Sequence, residues 1–352
     1  MRARQTNLRS ARGRRGAATA TIRDVAARAG VSVATVSRVL NGKELVREET
    51  SAQVLEAARS LRYVPNVAAR TLSIRRSQTI GIVLPEVHGE FFSEVIRGID
   101  VPARREGYHI LVSGSHSDAG EMMDVIHAMR GRVDGLVIMA PDVDVTTLGN
   151  HVPLVLLNSS DDSHDAITID NYGGAKTMMR HLASLGHERI AFICGPAQNA
   201  DARARLRGYR QAMRGSQTVE VRGDFTEASG FTAARDIAAM KPVPTAIFAA
   251  NDSMAIGALG ALSEAGLNVP GHITVVGFDD IPIARYVAPP LTTIGVDIAE
   301  VGRRAFAVLL DAIGRPGARA PRCERVKTTL VVRKSCGSPE RKQKSGTKGE
   351  GS

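Results

Sequence analysis

The sequence predicts an α/β protein: a small helix-turn-helix head followed by a core of two doubly wound parallel-sheet subdomains. Three observations carry that expectation. A helix, a Gly-containing turn and a second helix follow one another within residues 21–40. From Thr79 onward, short apolar runs alternate with helical periods, the pattern of repeated βα units. The charge is also divided: the 352-residue chain carries +10, whereas residues 1–78 alone hold 16 Lys/Arg against 5 Asp/Glu.

Residues 1–20 contain six Arg among small and polar residues and show no apolar period, so they read as a disordered basic arm. Thr21 opens the first helix, because Thr21-x-x-Asp24 has the form of a capping box. Ile22, Val25, Ala26 and Ala29 keep helical spacing, and Gly30 stops it. Ser32 caps a second helix, Val33 to Leu40, which ends at Asn41-Gly42. A third runs from Glu48 to Leu61, with Val54, Leu55, Ala58 and Leu61 on one face. Tyr63-Val-Pro65 breaks it, and Asn66 can cap a short helix to Leu72. In the core, Ile80–Leu84, Tyr108–Val112, Gly135–Met139, Leu154–Leu157, Arg189–Cys194, Ala246–Ala249 and Thr274–Gly277 read as strands. Their unbroken apolar character is that of strands covered on both faces. Helical periods occupy Phe92–Glu106, Ala119–Arg130, Gly173–Leu185, Leu206–Met213, Ala228–Met240, Ser253–Ala265 and Ala299–Gly314. These boundaries divide the chain into arm (1–20), head (21–65), linker (66–78), core (79–332) and a basic, mostly disordered tail (333–352).

Composition excludes several classes. The apolar runs fall short of the ~18 residues that span a bilayer, and no apolar stretch follows the basic N-terminus as in a secretory signal. Three Cys without a CxxC spacing argue against a disulfide framework and against structural zinc, so no metal and a reducing cytoplasm are expected. The chain has no GxxxxGK, GxSxG or HExxH motif, and its nine His are scattered, so an enzyme is not expected. A basic head on a mildly acidic core is the layout of a nucleic-acid binder with a separate sensing domain. In a helix-turn-helix the second helix enters the major groove. Val36, Val39 and Leu40 face the head's own core, leaving Val33, Ala34, Ser37 and Arg38 outside. Arg38 suits bidentate contact with guanine, the small side chains suit close approach, and Thr21, Ser32, Thr35 and Asn41 suit phosphates.

The segment from Thr21 to Asn41 resembles the head of the lactose/galactose repressor (LacI/GalR) family of bacterial transcription regulators. The resemblance continues through Tyr63-Val-Pro-Asn66 and Ala68–Leu72. In the core it resumes at Val133–Leu136, Gly186–Ile190, Arg205–Tyr209, Asn251–Gly257, Gly277–Asp280 and Pro290–Thr293, and it ends at Leu330–Lys334. It implies a dimeric repressor on palindromic operator DNA, with no cofactor. It further implies a hinge helix whose Leu72 wedges into the minor groove, with Asn66 and Ala69 along that groove.

For the core the resemblance implies a type I periplasmic-binding-protein-like fold with crossovers near 170–173, 290–295 and 319–325. The effector, expected to be a monosaccharide, lies in the cleft between subdomains. Residue by residue it points to Phe91, Phe92, Asn158, Arg205, Phe225, Asn251 and Asp279, although Asn251 and Asp279 equally fit capping or turn roles after a strand. One of the two Phe is expected in the core. The stretch 197–204 departs from the purine-responsive relative, and the tail lacks a leucine heptad, so a dimer without tetramerisation is expected. A catabolite regulator co-repressed by a phosphoprotein and a nucleoside- or purine-responsive repressor are the alternatives.

Overall fold

The computed structural model describes residues 20–40, 46–63, 76–115, 118–139, 152–159, 163–315 and 320–339. It divides into two compact units, Met1–Ser77 and Gln78–Ser352.

The first unit packs three helices, α1 (Ile22–Ala29), α2 (Val33–Leu40) and α3 (Glu48–Ser60). The capping box at its start is formed: the Thr21 hydroxyl accepts from the Asp24 amide at 3.4 Å, and the Asp24 carboxylate accepts from the Thr21 amide at 2.8 Å. Gly30 closes α1 at φ 64°, a left-handed conformation that favours glycine. The Ser32 hydroxyl accepts from the Thr35 amide at 3.1 Å and caps α2. Val25, Ala26, Val36, Val54, Ala57 and Ala58 make the small core.

The second unit holds two six-stranded sheets. The first takes strands β1 (Thr79–Leu84), β2 (His109–Gly114), β3 (Gly135–Met139), β4 (Leu154–Leu157), β5 (Asp165–Ile169) and β11 (Cys323–Val326), in the order β11-β5-β4-β3-β1-β2. The second takes β6 (Ile190–Ile193), β7 (Val219–Val221), β8 (Ala246–Ala249), β9 (Thr274–Asp279), β10 (Thr292–Val296) and β12 (Thr328–Val331), in the order β12-β10-β9-β8-β6-β7. Their pairings are parallel except β12 against β10. Helices α4 (Glu90–Arg105) and α5 (Ala119–Met129) belong to the first half. Helices α6 (Asn171–Ser184), α7 (Ala200–Ala212), α8 (Glu227–Ala238) and α9 (Asp252–Glu264) belong to the second, and α10 (Ile298–Gly314) packs on α4. Central strands are buried along their length, β3 and β9 at every residue, as their apolar runs require.

The chain passes between the sheets at Asp170, at Asp297 and at Lys327. The segment 290–295 mostly holds strand β10 and the segment 319–325 runs into strand β11, and the second and third passages lie just beyond those strands. Residues 333–339, assigned by sequence to a loose tail, are packed on the second sheet. The fully buried Ser335 hydroxyl donates to the Val275 carbonyl at 2.6 Å. Arg333 pairs with Asp280 at 2.7 Å, and the Gly337 carbonyl lies 2.8 Å from His187 Nε2. The basic character of this stretch hid it, because its anchoring is backbone and hydroxyl bonding rather than an apolar face.

Candidate functional site

On the head, the structure leaves Val33, Ala34 and Arg38 exposed on α2, with Thr35 and Ser37 half-buried beside them. Thr21 and Ser32 stand at the two helix N-termini with their hydroxyls engaged in capping, Ser32 also lying 2.9 Å from the Thr35 hydroxyl. Their positions at positive helix ends suit anions. Asn41, Asn66, Ala69 and Leu72 lie outside the described residues.

In the second unit, a cleft of about 530 Å³ opens between the carboxyl ends of the two sheets. This is where open α/β sheets present their loops at the reversal of strand order. From the first half it is lined by Pro85 and Glu86 after β1, by Phe91 and Phe92 on α4, and by Leu157 and Asn158 at the end of β4. From the second half come Pro196–Asp201 in part, Arg205, Asp224–Glu227, Asn251, Ser253, Asp279 and Ile281. All seven residues singled out by sequence therefore line one cavity. Phe91 and Phe92 meet edge to face with ring centroids 5.6 Å apart; both are half-buried and both line the cleft, rather than one lying in the core.

Arg205 is the centre of the arrangement. It is 3% exposed and lies 3.8 Å over the Phe278 ring. Its Nη2 donates to Asp279 Oδ1 at 2.8 Å, its Nη1 to the Ala250 carbonyl at 2.6 Å and its Nε to Asn171 Oδ1 at 2.8 Å. Asn171 Nδ2 in turn donates to Asp201 Oδ1 at 2.6 Å. A continuous chain thus runs Asp279–Arg205–Asn171–Asp201 along the cleft wall. Such a buried charge is sustained only when paired and hydrogen-bonded. Burial pushes the Asp279 carboxyl above its ordinary range, and Arg205 opposes that rise. Burial likewise raises Asp201, to about 6, with Arg205 lowering it and Asp279 raising it further.

Asn251 is placed differently from the others. Its Oδ1 accepts from the Met254 amide at 3.0 Å, capping α9, and its Nδ2 donates to the Phe225 carbonyl at 2.9 Å. Both ends of its amide are committed to the protein, so it holds the Phe225 loop rather than presenting free groups. Asn158 is the converse: its Oδ1 is enclosed without a hydrogen-bond partner. Asn158, Phe225 and Asp279 have φ of 58°, 76° and 111°. Three non-glycine residues in this region of backbone space, all on one cavity, mark a site where strain is held by the surrounding structure. Next to Asp279, Asp252 is fully buried and accepts from the Thr293 hydroxyl at 2.5 Å and the Ile281 amide at 3.0 Å, stitching β9, β10 and α9 together.

Sequence reading missed Asn171 and Asp201. Asp201 was accessible: it precedes Arg205 by four residues on one helix, so the two share a face. Asn171 carried no local signal, because its partner is 34 positions away.

Residues 21–66 match the family described as "Bacterial regulatory proteins, lacI family", and residues 179–336 match a periplasmic binding protein-like domain. The chain is 32% identical over 330 residues, 90% of its length and 98% of the relative's, to the HTH-type transcriptional repressor PurR of Haemophilus influenzae (strain PittEE). It is 36% identical over 310 residues, 84% of its length and 94% of the relative's, to the ribose operon repressor of Escherichia coli (strain K12). Among solved structures, the lac repressor dimer bound to operator and the anti-inducer ONPF superimposes with a TM-score of 0.82 at 31% identity, covering 91% of this chain and 99% of that one. A ribose-bound regulator from Enterococcus faecalis V583 superimposes with a TM-score of 0.69 at 26% identity, covering 74% and 99%.

Proposed function

The chain belongs to the LacI family of bacterial regulatory proteins, and from that premise we propose that it is a dimeric repressor whose cleft takes a monosaccharide. As a member of this family it is a DNA-binding transcriptional regulator with a small-molecule effector, not an enzyme. In our reading, α2 lies in the major groove of a pseudo-palindromic operator, Arg38 reads a guanine and the small residues Val33 and Ala34 contact base edges. Ser37 shares that outward face, Thr21, Ser32, Thr35 and Asn41 position the head on phosphates, and Asn66, Ala69 and Leu72 act in the minor groove.

The observation that carries the sugar reading is the cleft itself. It combines a paired Arg205–Asp279, the unpartnered Asn158 oxygen and the apolar faces of Phe91, Phe92 and Phe225. Ring hydroxyls supply the donors that these acceptors lack, while the sugar's apolar face lies on the aromatic walls. The 36% identity to a ribose operon repressor and the likeness to a ribose-bound regulator support the same class of ligand. The similarity to PurR favours a purine as the second reading. A ligand touching both halves favours one closure of the cleft, and that difference in affinity is what changes operator binding.

The test is Asp279→Asn, which keeps an oxygen for Arg205 and removes the charge. Effector response in an operator gel-shift should fall at least about tenfold, while operator binding without effector persists. An unchanged response at the same sugar concentration would move the site elsewhere.

A further inference from the structure

Among the described residues, six carboxylates line the cleft, on Glu86, Glu90, Asp201, Asp224, Glu227 and Asp279, while Arg205 is the single Lys or Arg there. That guanidinium is already neutralised by Asp279 and donates to two further protein acceptors. Two of the other carboxylates have protein donors of their own. Glu90 accepts from the Ile283 amide at 2.8 Å, and Asp224 accepts from the Thr226 amide and hydroxyl at 2.9 and 2.6 Å. Asp201 differs: its hydrogen bond comes from a neutral amide, Asn171, at 2.6 Å, and among the described residues it forms no ion pair. Asn171 is held by Arg205, so Asp201 sits half-buried at the outer end of the relay, in the first turn of α7 and on the cavity wall. The enclosed Asn158 oxygen adds an acceptor that has no donor.

We propose that Asp201 is a specificity-determining residue of the effector site, making the cleft select an uncharged, donor-rich ligand and reject an anionic one. This rests on the reading that the cleft holds the effector. The physical reason is one of sign and hydrogen-bond direction. A phosphate or carboxylate on the ligand would meet a surplus of negative charge, with the Arg205 guanidinium already paired to Asp279 and the His88 ring 3.5 Å from Glu86, in surroundings where water screens poorly. A hydroxyl or ring N–H donates to Asp201 and to the Asn158 oxygen, and a hydrogen bond to a carboxylate is stronger than one between neutral groups. Burial raises the Asp201 carboxyl to about 6, and Arg205 only partly opposes the rise.

The experiment is titration calorimetry on the full chain with free ribose, glucose, galactose and hypoxanthine, each beside its phosphate ester (the nucleotide for the base). Native protein and Asp201→Asn are compared, with a ligand-free thermal melt confirming that the variant is folded; Asp201→Ser serves if it is not. The expected result is that an uncharged compound binds and its ester does not. Asp201→Asn then weakens the uncharged ligand about tenfold or more and narrows the discrimination against its ester. Binding of hypoxanthine alone would end the monosaccharide reading and leave this proposal standing on the same variant. A phosphate ester bound by native protein as tightly as its parent would overturn the proposal. Binding by no uncharged compound, or a folded Asp201 variant with unchanged affinity and discrimination, would overturn it equally.

Discussion

The Asp201 carboxyl shows how a residue suited to a ligand weakens the protein that carries it. Its ordinary value of 3.8 is raised to about 6 by burial. Between those values the folded chain holds a proton that the unfolded chain has released. Stability therefore falls as pH rises through that window and stays low above it. Asp201→Asn removes the ionising group but keeps an oxygen for Asn171. The variant should gain up to about 3 kcal/mol over the native protein at about pH 8, with little gain at about pH 4. Thermal melts at the two pH values check this, and an equal gain at both would contradict it. Arg205 is the opposite case, since each neighbour that it touches compensates its charge.

Among the elements, α8 and α9 touch through glycines rather than through interdigitated side chains. A Cβ on Gly257 would collide with the Glu227 carbonyl, and one on Gly230 with the backbone of Met254. The clash is with backbone, so neither helix relaxes locally. Gly257→Ala should cost stability at the top of a range of about 1–3 kcal/mol, read by urea denaturation. Because Asn251 caps α9 and holds Phe225, that variant should also weaken effector binding. In the head, α2 is stabilised by Ser32 and packs through Val36, leaving Arg38 free of that core. Arg38→Ala should lose about 1–3 kcal/mol of operator affinity per half-site and flatten the preference at one base pair. Uniform weakening across all substitutions at that pair would make Arg38 a phosphate contact.

The whole molecule separates charge by task. Residues 1–78 carry +11, whereas 79–332 carry −5, so attraction to a polyanion belongs to the head and its arm. The six Arg of residues 1–20 precede the first described helix. Deleting residues 2–20 should reduce the slope of log affinity against log salt by about 0.9 for each Arg that meets a phosphate. Fluorescence anisotropy over a salt series measures that slope, and an unchanged slope would show that the arm makes no DNA contact. The acidic core, in turn, is spared nonspecific attraction to DNA and keeps an acceptor-rich cleft.

The sequence by itself determined the helices of the head, the βα alternation and the central strands. Their signals are local: caps, periodicity and apolar runs lie within a few residues of the structure that they specify. Strands β5, β7 and β11 were not legible in this way, nor was the buried strand β10, whose segment was read as a crossover. β7 is three residues long, and β11 reads Cys-Glu-Arg-Val, so each is made a strand chiefly by the neighbour that pairs with it. The residues on the cleft were accessible one at a time through the family resemblance, but their division of labour was not. Asn251 became a brace, both Phe91 and Phe92 reached the cavity, and Asn171 and Asp201 joined Arg205 and Asp279 in one relay. Arg205 lies 34 residues from Asn171 and 74 from Asp279. Only the packing of α6, α7 and β9 brings those groups within hydrogen-bond reach, and only burial there turns ordinary polar residues into a site with a preferred charge and hydrogen-bond direction.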